Sequence, residues 1–486
     1  MTAKPRAVGS VTKFILYVTV PILYSFSYLL YNFPQVFEEP LINTFKITSV
    51  EVTSLYAISS SSAVPVDLLM VKVLQKCKLK DTAVFTAIIS ALGTLLTHLG
   101  IAWINYEILA IARFFFGIGM ESMYVVSAVA IEKWFKASEV TLANGLSRFE
   151  LELLDTMMVF FMPSLYVAYN SLTTPMLTLD VMSLVLVFSS ILFYVIETRY
   201  EREKLGEKKL EEPLELDDLP QESTEIETDP SVKEDGQQEK KEESDKEEVL
   251  FEVKDFKLIP SLVWYLILFL TMAGCTLWNF TSIGVDLISK RYNVDYLTAK
   301  NYMSIHPSSC MIFIFVVLMI VKKYGYKSHS YVASSLLFIA SYVALSLLPA
   351  RDPGLALSLC LLGVSAGNAI FYATIAASVL LAGPSKASSF TVSCLSIGAN
   401  FPSFIFAPLM GLISKERTPR AYQNCLYVLI GFAVLMFFSS LIVFYIDVKE
   451  AGSLLQRRSD DPWLIEYKEQ LNKGLEDALK KKNKSD

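Results

Sequence analysis

Only 19% of the 486 residues are charged and only three are histidine, and each shortage excludes a class of protein. A soluble domain carries about a quarter of its residues as Asp, Glu, Lys or Arg. With so little charge, 53% hydrophobic residues and a mean hydropathy of +0.43, the chain has more apolar surface than a water-soluble fold can bury. His98, His306 and His329 stand far apart with no HExxH pattern, which argues against a helical zinc site. Cys77, Cys275, Cys310, Cys360, Cys394 and Cys425 are single and scattered, so neither a disulfide framework nor zinc spacing can be assembled from them. No phosphate-binding GxxxxGK[S/T] loop is present to hydrolyse nucleotide. No cofactor and no metal is expected.

What the chain does have is twelve long apolar runs. A bilayer core about 30 Å thick takes about 20 apolar residues per helix, and the runs meet that length. In the first half they are Lys13–Phe33, Ser49–Val71, Thr82–Trp103, Ile108–Ile131, Val140–Tyr166 and Pro175–Ile196. In the second half they are Leu258–Ile283, Tyr296–Val321, Ser330–Leu348, Leu355–Ala382, Ala387–Ile413 and Tyr422–Ile446. Lipid offers backbone groups no partners, so such runs must be helices, and the alternation of a barrel strand is absent. The expected fold class is an all-α polytopic membrane protein with twelve transmembrane helices in two six-helix bundles.

Residues 1–12 read as a cytosolic N-terminus, 13–197 as the first bundle, 198–257 as a linker, 258–446 as the second bundle and 447–486 as a cytosolic tail. Between Glu201 and Leu250 the linker holds twenty acidic against eight basic residues, a composition that reads as disordered. The tail predicts a short amphipathic helix over Trp463–Leu479. Lys72, Lys76, Lys78, Lys80, Lys133 and Lys136 in the even connections, against Lys46 in the odd ones, place both termini in the cytosol. The second half, with Lys290, Arg291, Lys300, Arg351, Lys415, Arg417 and Arg420 on the other side, dissents, and the first helices take precedence. The first run lacks a small-residue cleavage site and predicts a span rather than a signal peptide.

Charges at membrane depth are costly and by default mark a pathway. Asp67, Glu121, Arg148, Glu150, Glu152 and Asp155 qualify. Arg148, Glu152 and Asp155, spaced by four and three residues, share one helix face, whereas Glu150 points elsewhere. Counted from the helix ends, Glu152, Asp155 and Glu121 fall near one level, so a cluster of three carboxylates able to carry a proton is expected. The bland alternative pairs Arg148 with Glu152 structurally, and for Glu150 and Asp67 a structural role weighs at least as much. Arg113 and His306 complete the set of candidate pathway residues.

Gly363 to Gly367 (GVSAG) matches the nucleophile elbow GxSxG, but it sits mid-helix, where small residues four apart serve close helix approach. Gly117 and Gly119 are read in the same way. Pro65, Pro163, Pro307, Pro402 and Pro408 lie within spans and predict bends.

Six plus six spans around a hydrophilic insert is the layout of the major facilitator superfamily, and short stretches throughout the chain resemble its lysosomal dipeptide exporters. These are Ser27 to Val36 (SYLLYNFPQV), Leu55 to Ile58, Arg113 to Ser122 (RFFFGIGMES) with Lys133 to Lys136, Glu139, Gly145 and Leu146, Val253 to Phe256, Leu362 to Val364, and Asp447 to Lys449 with Gly452. The RFxFGxG element is the specific one. The superfamily's GxxxDxxGxR signature is eroded: Val71 and Gln75 stand at its glycine and aspartate, and Leu318 and Lys322 in the second copy, where Gly325 is kept. The family has a basic residue near the position of Glu152, so the charge there is reversed.

The resemblance implies export of small, cationic dipeptides from lysosome lumen to cytosol by alternating access, with a glycosylated accessory membrane subunit as a partner. Besides the substrate and the lipid bilayer, a second copy of the chain is a candidate partner, and no nucleic-acid partner is expected. The alternatives are a transporter of another small solute (an amino acid, a sugar or an organic ion) and a transport-inactive scaffold. Two acidic dileucine patterns in the tail, Glu450 with Leu454 and Leu455, and Asp460 with Leu464 and Ile465, read as sorting signals for the lysosomal membrane; the plasma membrane is the other option.

Overall fold

The computed structural model describes residues 10–211, 253–350, 354–458 and 460–483, and among them every regular element is helical. The first half comprises α1 (Ser10–Ser27), α2 (Phe33–Val36), α3 (Glu38–Phe45), α4 (Ser49–Ser61), α5 (Ala63–Lys76), α6 (Leu79–Ala102), α7 (Tyr106–Trp134), α8 (Ala137–Tyr169) and α9 (Thr173–Glu211). The second comprises α10 (Ser261–Tyr292), α11 (Tyr296–Tyr324), α12 (Lys327–Leu347), α13 (Gly354–Tyr372), α14 (Ile375–Ala382), α15 (Ser388–Ile413), α16 (Pro419–Lys449) and the tail helix α17 (Trp463–Asn483). Among the described residues eleven segments are long and apolar enough to cross a membrane, with α4 and α5 forming one crossing and α13 and α14 another.

Three expected spans are broken. The first, expected over Lys13–Phe33, ends as a helix at Ser27 and turns through Tyr28–Asn32 before α2, which leaves α1 at 18 residues. Pro34 is the cause on the sequence side: it lacks an N–H and restricts the residue before it. The second span breaks at Ser62, whose hydroxyl donates to the Ser59 carbonyl (2.7 Å), with Pro65 in the first turn of α5. The tenth breaks after Tyr372 without proline or glycine. There the Tyr331 and Ser378 hydroxyls pair at 2.7 Å beside Thr374. By contrast α8, α11 and α15 run without interruption through Pro163, Pro307, Pro402 and Pro408.

The sixth span, α9, continues well past its expected end at Ile196, as far as Glu211. Glu197 and Glu201 are spaced to share a face and find cations there: Lys133 and the Trp134 indole N–H reach Glu197 (2.9 and 3.1 Å), and Lys80 reaches Glu201 (2.7 Å). These ties extend helical order into the start of the expected linker. At its end Val253–Leu258 forms a 3₁₀ turn, and the rest of that expected disordered segment lies outside the described residues.

Glycines set the closest helix approaches. A Cβ on Gly119 would lie 2.4 Å from the Ser90 nitrogen, and one on Gly93 would lie 2.5 Å from that of Phe116, so α6 and α7 touch backbone to backbone. On Gly117 it would meet the Ser59 carbonyl oxygen at 2.2 Å. Gly363 and Gly367 face Ser341 and Phe338 of α12 (2.2 and 3.1 Å). Ser365, the serine of the GxSxG match, is fully buried and donates to the Leu361 carbonyl of its own helix.

The halves meet at both ends. On the face carrying the described termini, Leu318 of α11 packs on Gly145 of α8, and Ala377, Leu380 and Val392 join the core of the first half. On the far face the Tyr296 hydroxyl donates to the Val36 carbonyl (2.9 Å), and a Cβ on Gly411 would lie 2.3 Å from Thr53 Oγ1. The halves thus touch on both faces, above and below the space between them.

Candidate functional site

A cavity of about 80 Å³ lies between the halves. Three of its residues come from one face of α8, where Arg148, Glu152 and Asp155 stand at i, i+4 and i+7. Across from them are His306 of α11, Asn368 and Tyr372 of α13, Trp278 of α10 and Asn400 of α15, while Tyr31, Asn32 and Gln35 enter from the break after α1.

Arg148 and Glu152 form an ion pair at 3.6 Å, both nearly sealed from solvent. Arg148 Nη1 donates to the Tyr24 hydroxyl (2.7 Å), and its guanidinium lies 3.1 Å from the centre of the Tyr372 ring. Glu152 also accepts from Asn368 Nδ2 (3.2 Å). Three buried polar atoms around the cavity have no partner: Arg148 Nε, His306 Nε2 and Asn368 Oδ1. Such atoms are costly to leave empty, so a polar ligand or water belongs there. Asp155 lines the same cavity.

Two expected members lie elsewhere. Glu121 is fully buried between α7 and α15, where the Ser396 hydroxyl donates to it at 2.5 Å, and the buried Asp67 of α5 is close enough for the two carboxylates to repel each other. The expected trio of Glu121, Glu152 and Asp155 therefore divides into Glu152 with Asp155 in the cavity and Glu121 with Asp67 beside it. Helix register between α5 and α7 makes this pairing, and spacing along a single helix cannot reveal it. Arg113 does not reach the cavity. It donates to the carbonyls of Leu30 (2.7 Å), Tyr31 (3.2 Å) and Leu55 (3.5 Å) and to the Ser59 hydroxyl (3.4 Å), stitching the break after α1 to α4. Glu150, as expected from its phase, points away, toward the Ser25 hydroxyl (3.2 Å). Asn368 was not anticipated, although an amide in mid-span is the same kind of signal as a buried charge.

The tail departs from the sorting-signal reading. Leu454 and Leu455 are buried, the latter with its N–H donated to Asp447 (2.8 Å). Leu464 is buried on α17, while Ile465 alone is exposed, Glu450 accepts from Ser261 (2.5 Å), and Asp460 pairs with Arg458 (3.0 Å). A dileucine must be free and extended to be read by another protein; here the leucines are core residues, because the amphipathic tail buries its apolar face on the second half. Among the described residues no group of three or more His, Cys, Asp or Glu side chains is placed to hold a metal.

On the far face Arg417 binds Asp286 at 2.7 Å, with the Tyr422 hydroxyl on the same carboxylate (3.0 Å). Glu38, Glu39, Ser49 and Tyr296 surround this pair. Burial, then the Asp286 charge, pushes the Glu38 carboxyl well above its ordinary value of 4.5. A group with a raised value in the closed state binds its proton more tightly there, so closure is favoured in full below the ordinary value and weakens as pH rises through the raised one. Distances between spin labels across the far face should accordingly lengthen as pH rises, and Glu38→Gln should flatten that profile. A Glu38→Gln profile that still tracks wild type would remove Glu38 from the gate.

The sequence model for the Major Facilitator Superfamily matches residues 20–318. The chain belongs to the Major Facilitator Superfamily. No curated protein sequence matches it. Among solved structures it is similar to a bacterial homologue of the iron transporter ferroportin in an outward-facing state, with a TM-score of 0.64 and 9% identity over 89% of this chain and 99% of that one. It is also similar to a bacterial homologue of the human lysosomal transporter Spinster in an inward-facing, unoccupied conformation (TM-score 0.57, 12% identity, 94% and 100% covered). A third is the nucleoside transporter NupG (TM-score 0.56, 14% identity, 89% and 99% covered). At these identities the likeness establishes the facilitator fold. As a superfamily member the chain is a multi-pass membrane transporter of small solutes, and the space between the two bundles is where such transporters bind their cargo.

Proposed function

We propose that this facilitator exports small cationic dipeptides from the lysosome lumen to the cytosol by alternating access, with its termini in the cytosol. The observation that carries the reading is the mixed charge of the cavity, where one guanidinium and two carboxylates share a single helix face. A dipeptide is a zwitterion: its carboxylate suits Arg148, its ammonium group suits Glu152, and Asp155 is left for a basic side chain. The amides Asn32, Gln35, Asn368 and Asn400 line the same cavity and can serve the peptide bond. The lysosomal membrane and a glycosylated accessory subunit are parts of the same proposal and rest on the family resemblance, since Leu454, Leu455 and Leu464 are buried and neither dileucine pair is free.

Proteoliposomes test it directly. Uptake of a labelled lysine- or histidine-containing dipeptide is expected, and Asp155→Asn should reduce it about tenfold, the equivalent of 1.4 kcal/mol, while uptake of a neutral dipeptide changes by less than about twofold. Folded protein that moves an amino acid, a sugar or an organic ion but no peptide would overturn the substrate assignment. Folded protein that moves none of these would leave the scaffold reading.

A further inference from the structure

The tail helix α17 makes contacts to both halves of the transporter at the face where they must part. Most of its anchorage is on the second half. Leu464, Leu475 and Leu479 are buried against that core, Asn472 accepts from the Ser385 N–H (2.7 Å), Glu476 pairs with Lys386 (2.9 Å), and Lys482 pairs with Asp255 (2.5 Å). The peptide leading to it is equally fixed: the Gln456 carbonyl accepts from the Tyr326 N–H (3.3 Å), and Gly325, with φ +76°, leaves so little room that a Cβ would lie 2.4 Å from that carbonyl oxygen. The glycine surviving from the second signature thus abuts the tail.

Lys468 differs from these anchors because it serves both halves at once. Its ammonium group donates to the carbonyls of Leu380 and Gly383 (the latter at 2.6 Å) at the end of α14, and lies 3.4 Å from Glu132 near the end of α7. Those two helix ends belong to opposite bundles, and Leu380 itself packs into the core of the first. The ammonium group meets the carbonyl ends of the tenth span, where a cation is favoured by the helix dipole, and a carboxylate of the fourth. Alternating access requires these ends to separate when the cavity opens toward this face.

We propose that α17 is a strap that keeps this face closed, riding with the second bundle and releasing the first when Lys468 lets go of Glu132. Strap and gate are one mechanical unit, so anything that lifts α17 off the second bundle opens the transporter toward its termini, whatever the cargo.

Accessibility measures this without reference to substrate. Asn144 lines a second cavity, below Arg148 and Tyr372, on the side of the strap. In the full chain with Cys77→Ser, a cysteine at position 144 (Asn144→Cys) reports opening through its reaction with a membrane-impermeant maleimide. Glu132→Gln, which leaves the carbonyl contacts of Lys468 in place, and Lys468→Met should each raise the labelling rate about tenfold, as expected for loss of a largely buried ion pair, and the double variant should add little beyond Lys468→Met. Conversely, a disulfide formed by a mild oxidant between Glu132→Cys and Lys468→Cys should suppress labelling, and reduction should restore it. Labelling rates unchanged in folded Glu132→Gln, or labelling that persists across the closed disulfide, would overturn the strap. Failure of the dipeptide assignment would leave these results unaffected.

Discussion

Arg148→Gln is expected to abolish uptake of any carboxylate-bearing cargo and to destabilise the folded protein by about 3–5 kcal/mol, the usual cost of leaving one member of a buried ion pair behind. The variant strands Glu152, which keeps the Asn368 amide and the Cys310 thiol beside it, and it frees the Tyr24 hydroxyl and the Tyr372 ring face. Stability and transport should then separate in the double variant Arg148→Gln/Glu152→Gln. Removing both charges restores most of the lost stability, because an apolar or neutral pair costs less to bury than a lone carboxylate, yet uptake stays absent because nothing binds the substrate's carboxylate. Thermal unfolding in detergent and uptake in proteoliposomes read the two effects. A double variant no more stable than Arg148→Gln would mean that the two side chains are not coupled.

The second large effect belongs to Arg113, which has no acidic partner among its contacts. Its charge is met by carbonyl oxygens, two of them, from Leu30 and Tyr31, at the broken end of the first span, where the helix dipole is negative. Arg113→Leu leaves these acceptors empty in a site closed to water, each costing about 1–3 kcal/mol, against a total stability of about 5–15 kcal/mol. Little folded protein should be recovered. Arg113→Lys should fare nearly as badly, since a single ammonium cannot reproduce the fork that spans α1 and α4. Size-exclusion profiles of detergent extracts would decide, and a lysine variant with a wild-type profile would refute the stitching role.

How much of this was legible before the structure depends on the length scale of each feature. Spans are local: twenty apolar residues in lipid have one solution, and the helices fall on the expected runs. The face shared by Arg148, Glu152 and Asp155 is local too, fixed by 3.6 residues per turn. The breaks are half legible, since Pro34 and Pro65 mark two, whereas that after Tyr372 depends on Tyr331 of α12, which reaches Thr374 and Ser378 only through tertiary packing. Pairing of Glu121 with Asp67, and of Asn368 with Glu152, is set by how whole helices are phased against one another. No single-helix pattern carries that information. The tail makes the same point in reverse: the amphipathic period of Trp463–Leu479 was readable, and it requires a surface to cover, which is incompatible with Leu464 serving as a free signal.

The long sixth span, α9, has an electrostatic consequence for the acidic stretch that follows it. From Glu201, neutralised at the membrane edge by Lys80, to Glu211 the helix climbs about 15 Å, close to two Debye lengths at physiological ionic strength. The helix thereby hands over to the acidic stretch about 15 Å along its axis from the Lys80–Glu201 pair, so the fold sets where that charge is tethered.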